Sequence, residues 1–303
     1  MTIQIASLSA LRTDDAERAA GALLDAGYEG LILEEPLHHD AWQALRLLLP
    51  RDSVKAIRLF LPYPRTLRPG QTSPYVAAAE GREERAGALL QARKTLEAAD
   101  QLGAPLVLLP MTPLGTPGLS RQYRLPTDSL GADEQRLRAA SEETSRRMDS
   151  LLLLLADVLE QAERYATTIC LTPGNRSGEL PLASEVLDCL REFEGAALGL
   201  WLDTSRLPAE FLRAPVFAEE VKAPLAAEMF GRVQGASLRD ETAAGEPCSL
   251  GRGAVPWDLI SSTLRALPLW CVQTTPGESP AEGLHFLASL EDEKEEAGGL
   301  FDR

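Results

Sequence analysis

The chain is 303 residues long, 45% hydrophobic and 25% charged, which supplies a full core and excludes a disordered chain. Its 45 acidic residues outnumber 30 basic ones, for a formal net charge of −15, so the mean field opposes polyanions and neither nucleic acid nor an anionic membrane surface is an expected partner. The length exceeds that of an ordinary domain but suits a single α/β barrel, which runs to about 250 residues or more.

The opening MTIQIASLSALRTDD lacks a basic segment followed by a long apolar stretch and a small-residue cleavage site, so no secretory signal is expected. Runs of strand type then follow at 3–6, 30–33, 56–61, 105–109, 168–171, 198–202, 233–238 and 269–273. Apolar residues at helical spacing fill 14–26, 41–49, 81–101, 133–165, 182–193 and 257–267 between them. The longest apolar stretch, LLLLLADV from Leu151, falls far short of the ~20 residues a bilayer needs and reads as helix core.

Strand and helix thus alternate, which calls for parallel strands joined by right-handed crossovers. Eight such units close into a barrel without sheet edges, so the expected fold is α/β, a single (β/α)8 TIM barrel over 1–290 with a polar tail over 291–303. Residues 62–75 and 111–130, rich in Pro, Gly, Thr and Arg, are expected to be long loops after strands 3 and 4, at the end where such barrels carry their active sites. Cys170, Cys189, Cys248 and Cys271 show no CxxC spacing, and reduced thiols in a cytoplasmic protein are expected.

The templates of common chemistries are missing. No GxSxG, HExxH, Walker A or paired Cys/His zinc spacing occurs. Gly251 and Gly253 in LGRGAVPWDLI form a GxG without a third spaced glycine, a chain turn more than a nucleotide fingerprint. Trp42, Trp201, Trp257 and Trp270 suit either a sugar cleft or the layers between sheet and helices.

Five segments in order, GYEGLILE, LLLLLADVLEQAERYATTICLTPGN, LGLWLDTSR, VQGASLRDE and LGRGAVPWDLI, resemble the xylose-isomerase-like TIM barrels, which include sugar isomerases, sugar-phosphate epimerases and endonuclease-IV-type enzymes. The resemblance spreads thinly over nearly the whole chain, and the order of its motifs carries it. It implies a divalent cation held by a Glu at the end of the fifth strand, an Asp followed three residues later by His at the sixth, a His at the seventh and a Glu at the eighth. The matching positions here hold Thr172, Asp203 with Arg206, Ser237 and Gln273. One carboxylate cannot replace four anionic or imidazole ligands. No resident metal or other cofactor is therefore expected, and Arg206 is expected to pair with Asp203 where an ion would otherwise sit.

Other candidates lie at the same strand ends. Glu34 and Glu35 follow the second strand, where a carboxylate could abstract a proton beside a carbonyl or simply form a charged rim. Arg239 and Asp240 follow the seventh, where the resemblance implies a site carboxylate and where an Asp could equally cap the turn. His38 and His39 follow the second strand and His285 lies in a late helix; surface positions account for such residues as well as a proton carrier does. Thr172 and Asn175 in CLTPGN, with Asp203, Arg206, Ser237, Arg239 and Gln273, form the expected ligand-binding set, and Glu34 and Asp240 the expected acid–base pair.

Two functions follow. In the first, the barrel has lost metal-dependent catalysis and binds a small polar, sugar-like ligand or a protein partner. In the second, it is a metal-independent isomerase or epimerase of a sugar or sugar phosphate, with Glu34 or Asp240 as base and Arg206 or Arg239 stabilising an enediolate or phosphate. A repair endonuclease, which needs several metals and a basic groove, does not suit this composition.

Overall fold

A computed structural model describes residues 3–8, 13–34, 39–59, 82–109, 112–113, 142–173, 179–181, 183–205, 231–242, 246–273 and 279–298. Eight parallel strands close a barrel: β1 (Ile3–Leu8), β2 (Gly30–Leu33), β3 (Val54–Arg58), β4 (Leu106–Leu109), β5 (Thr168–Leu171), β6 (Leu198–Asp203), β7 (Val233–Leu238) and β8 (Leu269–Val272). Each neighbours the next in chain order, and β1 meets β8. This is the predicted (β/α)8 barrel.

The helices are α1 (Thr13–Asp25), α2 (His39–Leu48), α3 (Arg82–Leu102), α4 (Glu142–Arg164), α5 (Ala183–Glu192), α6 (Trp257–Leu264) and α7 (Pro280–Gly298). Of the pattern over 133–165, α4 covers Glu142–Arg164, and 133–141 lie outside the described residues. The segment taken for a polar tail continues α7 as far as Gly298, because acidic residues and alanines are adequate helix formers even without an apolar stripe. The expected loops 62–75 and 111–130 lie outside the described residues, apart from Thr112–Pro113.

Two compact units with interleaved segments make up the chain: Met1–Ala56, Leu202–Pro208 and Gln234–Arg303 in one, Ile57–Trp201 and Ala209–Val233 in the other. In the first, β1 lies between β8 and β2, with Ile5 opposite both Cys271 and Gly30. Strands GLIL and LWCV are buried at every position, as expected of a parallel sheet covered on both faces. Gly30 is required there, since a Cβ would lie 2.7 Å from the Ser53 carbonyl oxygen that accepts the Leu31 N–H. On α1, Ala16, Ala20 and Leu23 present one buried stripe.

In the second unit β5 pairs with β4 and β6, setting Cys170 opposite Leu108 and Gly199. Helix α3 buries Ala88, Ala92, Leu96 and Ala99, and α4 buries Leu151, Leu154, Leu155, Val158 and Ala162. These two stripes let α3 and α4 pack on each other and on their strands. Thr112–Pro113 and Glu179–Leu180 form a short antiparallel ribbon beyond β4 and β5.

None of the four cysteines is in a disulfide, and Cys170, Cys189 and Cys271 are buried. Burial pushes the Cys170 thiol well above its ordinary range. Cys189 is pushed up to about 12, by burial first and then by Glu185 and Asp188. Cys271 is raised by burial and by Glu34. These thiols stay neutral when folded and would ionise near pH 8.5 once unfolded, so their contribution to stability is complete below about pH 8.5 and is lost as pH rises above it. Ellman's reagent at pH 8 should titrate Cys248 rapidly and the other three only at the rate of unfolding, and chemical denaturation should show stability declining between pH 9 and 11. Four fast thiols in folded protein would contradict this burial.

Candidate functional site

Glu34, Asp203, Arg239, Asp240 and Gln273, all in the first unit, stand at the C-terminal ends of strands, and backbone ladders hold them there. The Glu34 N–H bonds the Leu8 carbonyl at 3.2 Å, the Gln273 N–H bonds that of Leu238 at 3.0 Å, and the Thr204 N–H bonds that of Ser237 at 3.0 Å. Asp203 is the last residue of β6, and Arg239 the first after β7. Barrel geometry thereby brings together residues far apart in sequence.

At the centre is a forked ion pair. Arg239 donates from Nε to Asp203 Oδ1 at 3.0 Å and from Nη2 to Oδ2 at 2.9 Å. Such parallel pairing fixes orientation as well as charge. Ser205 braces it: its hydroxyl donates to Asp203 Oδ1 at 2.8 Å and accepts from Arg239 Nε at 2.9 Å, while its N–H bonds the same carboxylate oxygen at 3.1 Å. Fully buried Thr204 fixes the arginine's backbone, its Oγ1 donating to the Arg239 carbonyl at 2.7 Å and accepting the Arg239 N–H at 2.9 Å.

The chain of bonds continues through Gln273. Its Oε1 accepts from Arg239 Nη1 at 3.3 Å and its Nε2 donates to Glu34 Oε1 at 3.3 Å. An amide meets both demands at once, accepting from a cation and donating to an anion. Glutamate at 273 would set two carboxylates face to face.

Sequence reasoning named Asp203, Arg239, Gln273 and Glu34 but missed Thr204 and Ser205. The signal was the DTS triplet: Asp followed two residues later by Ser is an Asx-turn pattern, and here it also positions a hydroxyl for the guanidinium. Arg206, the expected partner of Asp203, lies outside the described residues; Arg239 pairs with Asp203 because the fork reaches across from the neighbouring strand end.

Asp240 does something else. It is 1% exposed and its carboxylate accepts five hydrogen bonds: at Oδ1 from the Glu241 N–H at 2.9 Å and the Val255 N–H at 3.1 Å, and at Oδ2 from the Gly251 N–H at 3.0 Å, the Gly253 N–H at 2.9 Å and Trp257 Nε1 at 2.9 Å. Of its two expected roles, acid–base group or local brace, the geometry favours the brace, since no lone pair remains exposed for a proton from a ligand. Gly253 is needed because a Cβ would collide with that carboxylate, and Gly251 has φ +78° with Phe286 crowding the place of a Cβ. Phe286 in turn packs edge-on against Trp257, with centroids 4.9 Å apart at 72°.

Among the remaining candidates, Ser237 is buried in β7 and Thr172 is half-buried after β5, its N–H on the Leu109 carbonyl at 3.2 Å in the second unit. Asn175, Glu35 and His38 lie outside the described residues, and His39 opens α2. Trp201 and Trp270 are core residues, the latter donating Nε1 to the Leu264 carbonyl at 2.7 Å.

Beside the network is a groove of about 530 Å³ lined by Ser249, Arg252, Gln273, Glu282, His285 and Phe286 among others. Its volume is in the range of small-molecule sites, and polar groups over an apolar floor suit a polyol. Gln273 belongs to both groove and network.

The donors do not fit the divalent cation that the resemblance implies. Among the described residues no three of His, Cys, Asp and Glu converge as metal ligands, and both oxygens of Asp203 already serve a guanidinium.

Solved structures resemble the chain over almost its whole length. A D-tagatose 3-epimerase-like protein covers 98% of this chain and 99% of its own at TM-score 0.68 and 15% identity. An L-ribulose 3-epimerase covers 100% and 99% at TM-score 0.64 and 15% identity. The D-allulose 3-epimerase from Methylomonas sp., in complex with D-allulose, covers 95% and 96% at TM-score 0.60 and 13% identity. The chain has the fold of the sugar isomerase and epimerase barrels. No family model matches the sequence, and no curated protein matches it. No described helix is long and apolar enough to cross a membrane.

Replacing Asp240 should damage this barrel structurally. In Asp240→Ala five donors lose their acceptor, at a cost of about 3 kcal/mol or more even if water recovers some of them. Urea denaturation would measure it, and a variant within 0.5 kcal/mol of wild type, roughly the size of a neutral surface change, would show that the brace is dispensable.

Proposed function

We propose that the protein binds a small, neutral, sugar-like ligand at the Asp203–Arg239–Gln273–Glu34 network without a resident metal, its remainder lying in the adjoining groove. The observation that carries this reading is the forked Asp203–Arg239 pair, which leaves a rigid guanidinium 31% exposed at a strand end. Of its five N–H donors, one on Nη1 and one on Nη2 have no partner among the described residues. These offer donors to ligand oxygens, and Glu34, half-buried at the other end of the network, offers an acceptor.

Charge selects the ligand class. The whole chain carries −15, so a neutral polyol or ketose suits the site better than a sugar phosphate. The fold of the D-allulose-bound epimerase supports a sugar-sized ligand.

A second reading, metal-independent isomerisation or epimerisation, rests on the amide bridge that joins a carboxylate to a guanidinium. In it Glu34 abstracts the proton beside the ligand carbonyl and Arg239 stabilises the resulting enediolate oxygen. With the Asp240 carboxylate saturated, the base falls to Glu34.

Isothermal titration with neutral ketoses such as D-allulose, against their phosphates, should give saturable binding of the neutral form only. Glu34→Gln and Gln273→Leu should each weaken it about 10-fold or more, the loss expected for one hydrogen bond to a charged group. Preference for phosphates, or binding that ignores both substitutions, would sink the proposal. Exchange of the ligand's α-proton with deuterated water, abolished in Glu34→Gln, would establish the catalytic reading.

A further inference from the structure

We propose that the outer face formed by α3 and α4 is the contact surface of a two-fold dimer of this chain, with α3 of each copy lying along α4 of the other. The proposal goes beyond ligand binding and concerns the second unit alone. Leu90 on α3 is 46% exposed and Leu153 on α4 is 51% exposed, with Leu89 and Leu152 half-buried beside them. One exposed leucine means little, but these stand level on helices that pack together. Both helices end in the same cap: the Ala104 N–H bonds the Ala99 carbonyl at 2.8 Å past Gly103 (φ +71°), and the Thr167 N–H bonds the Ala162 carbonyl at 3.1 Å past Ala166 (φ +50°). The strands that follow also begin level, with Leu106 opposite Thr168. Leu90 lies thirteen residues before Gly103, as Leu153 does before Ala166, so the apolar side chains form one patch across the two helices.

The charges around the patch select a second copy as its occupant. Counted from the same caps, Lys94 on α3 is level with Asp157 on α4, and Glu83 with Arg146, all four exposed. A two-fold axis parallel to the helices lays each α3 over the partner's α4 in the same direction and at the same height. Lys94 then meets the partner's Asp157, Glu83 meets the partner's Arg146, and leucines meet leucines, each contact occurring twice. Glu97 and Glu160 are also level, but each is matched on its own helix, by Arg93 at 3.3 Å and by Arg164 at 2.6 Å. Turning one copy end over end would stack α3 on α3, which sets Lys94 away from Asp157 and loses the complementarity. Helices of 21 and 23 residues side by side offer a face of roughly 30 Å by 20 Å, comparable with the ~800 Å² per partner of a specific interface. The leucines supply the apolar burial and the ion pairs set the register.

Sedimentation velocity on the full chain, without sugar, tests both the surface and the register. Wild type should sediment as a dimer at about 20 µM, and Leu90→Asp/Leu153→Asp should weaken self-association about 10-fold or more. Lys94→Glu alone and Asp157→Lys alone should each weaken it as well, because each sets like charges face to face twice. Mixed in equal amounts, those two single variants should form a heterodimer, since both pairs across that interface are then attractive. Where circular dichroism shows the leucine variant unfolded, the charge-reversal mixture decides the question by itself. A monomeric wild type overturns the proposal, even if the face proves to hold a different protein. So does a folded leucine variant that dimerises like wild type, or a mixture that associates no better than its components. Sugar binding is measured separately by titration, so either proposal can fail alone.

Discussion

A buried carboxylate must be satisfied or it destabilises the fold by several kcal/mol, and the loop after β7 is built around that constraint. Asp240 collects four backbone N–H groups and an indole N–H spread from Glu241 to Trp257. This folds the chain back on itself, sets the start of α6, and demands glycine at 253, where a Cβ would strike the carboxylate. The wall of the groove formed by Ser249 and Arg252 belongs to the same loop.

Its neighbour in sequence serves the opposite end of the problem. Arg239 emerges at the same strand end but reaches the network with Asp203, Ser205 and Gln273, so one dipeptide supplies both the structural anchor and the cation of the site. The Arg239 guanidinium and the Asp240 carboxylate serve separate sets of partners. A substitution at 240 would therefore move the groove wall and, through the backbone it shares, Arg239 as well.

The strand pattern was readable because a barrel of parallel strands buries both faces: GLIL, LVLL and LWCV are apolar at every position and therefore conspicuous. Helix limits were readable where apolar spacing persisted, as in α3, and unreadable where acidic helix extends without a stripe, as in α7. At the site, residue types at strand ends pointed to Asp203, Arg239, Gln273 and Glu34, but their partners did not follow from spacing. Asp203 is three residues from Arg206 and 36 from Arg239; proximity in sequence points only to the first, and the adjacency of β6 and β7 brings in the second. Asp240 was equally opaque, because its donors are mostly backbone N–H groups, which leave no mark in a sequence beyond two glycines.

A carboxylate at a strand end can be left to water or to a mobile surface cation. Asp203 instead has a side-chain exposure of only 10%, both its oxygens are matched by a forked guanidinium, a serine hydroxyl spans the pair, and an amide passes the polarity on to Glu34. A guanidinium offers fixed donors in one plane and keeps its charge at any physiological pH. It polarises a ligand oxygen less strongly than a divalent ion would, so under the proposed function the guanidinium holds and orients a sugar, or lowers a barrier that one positive charge can lower.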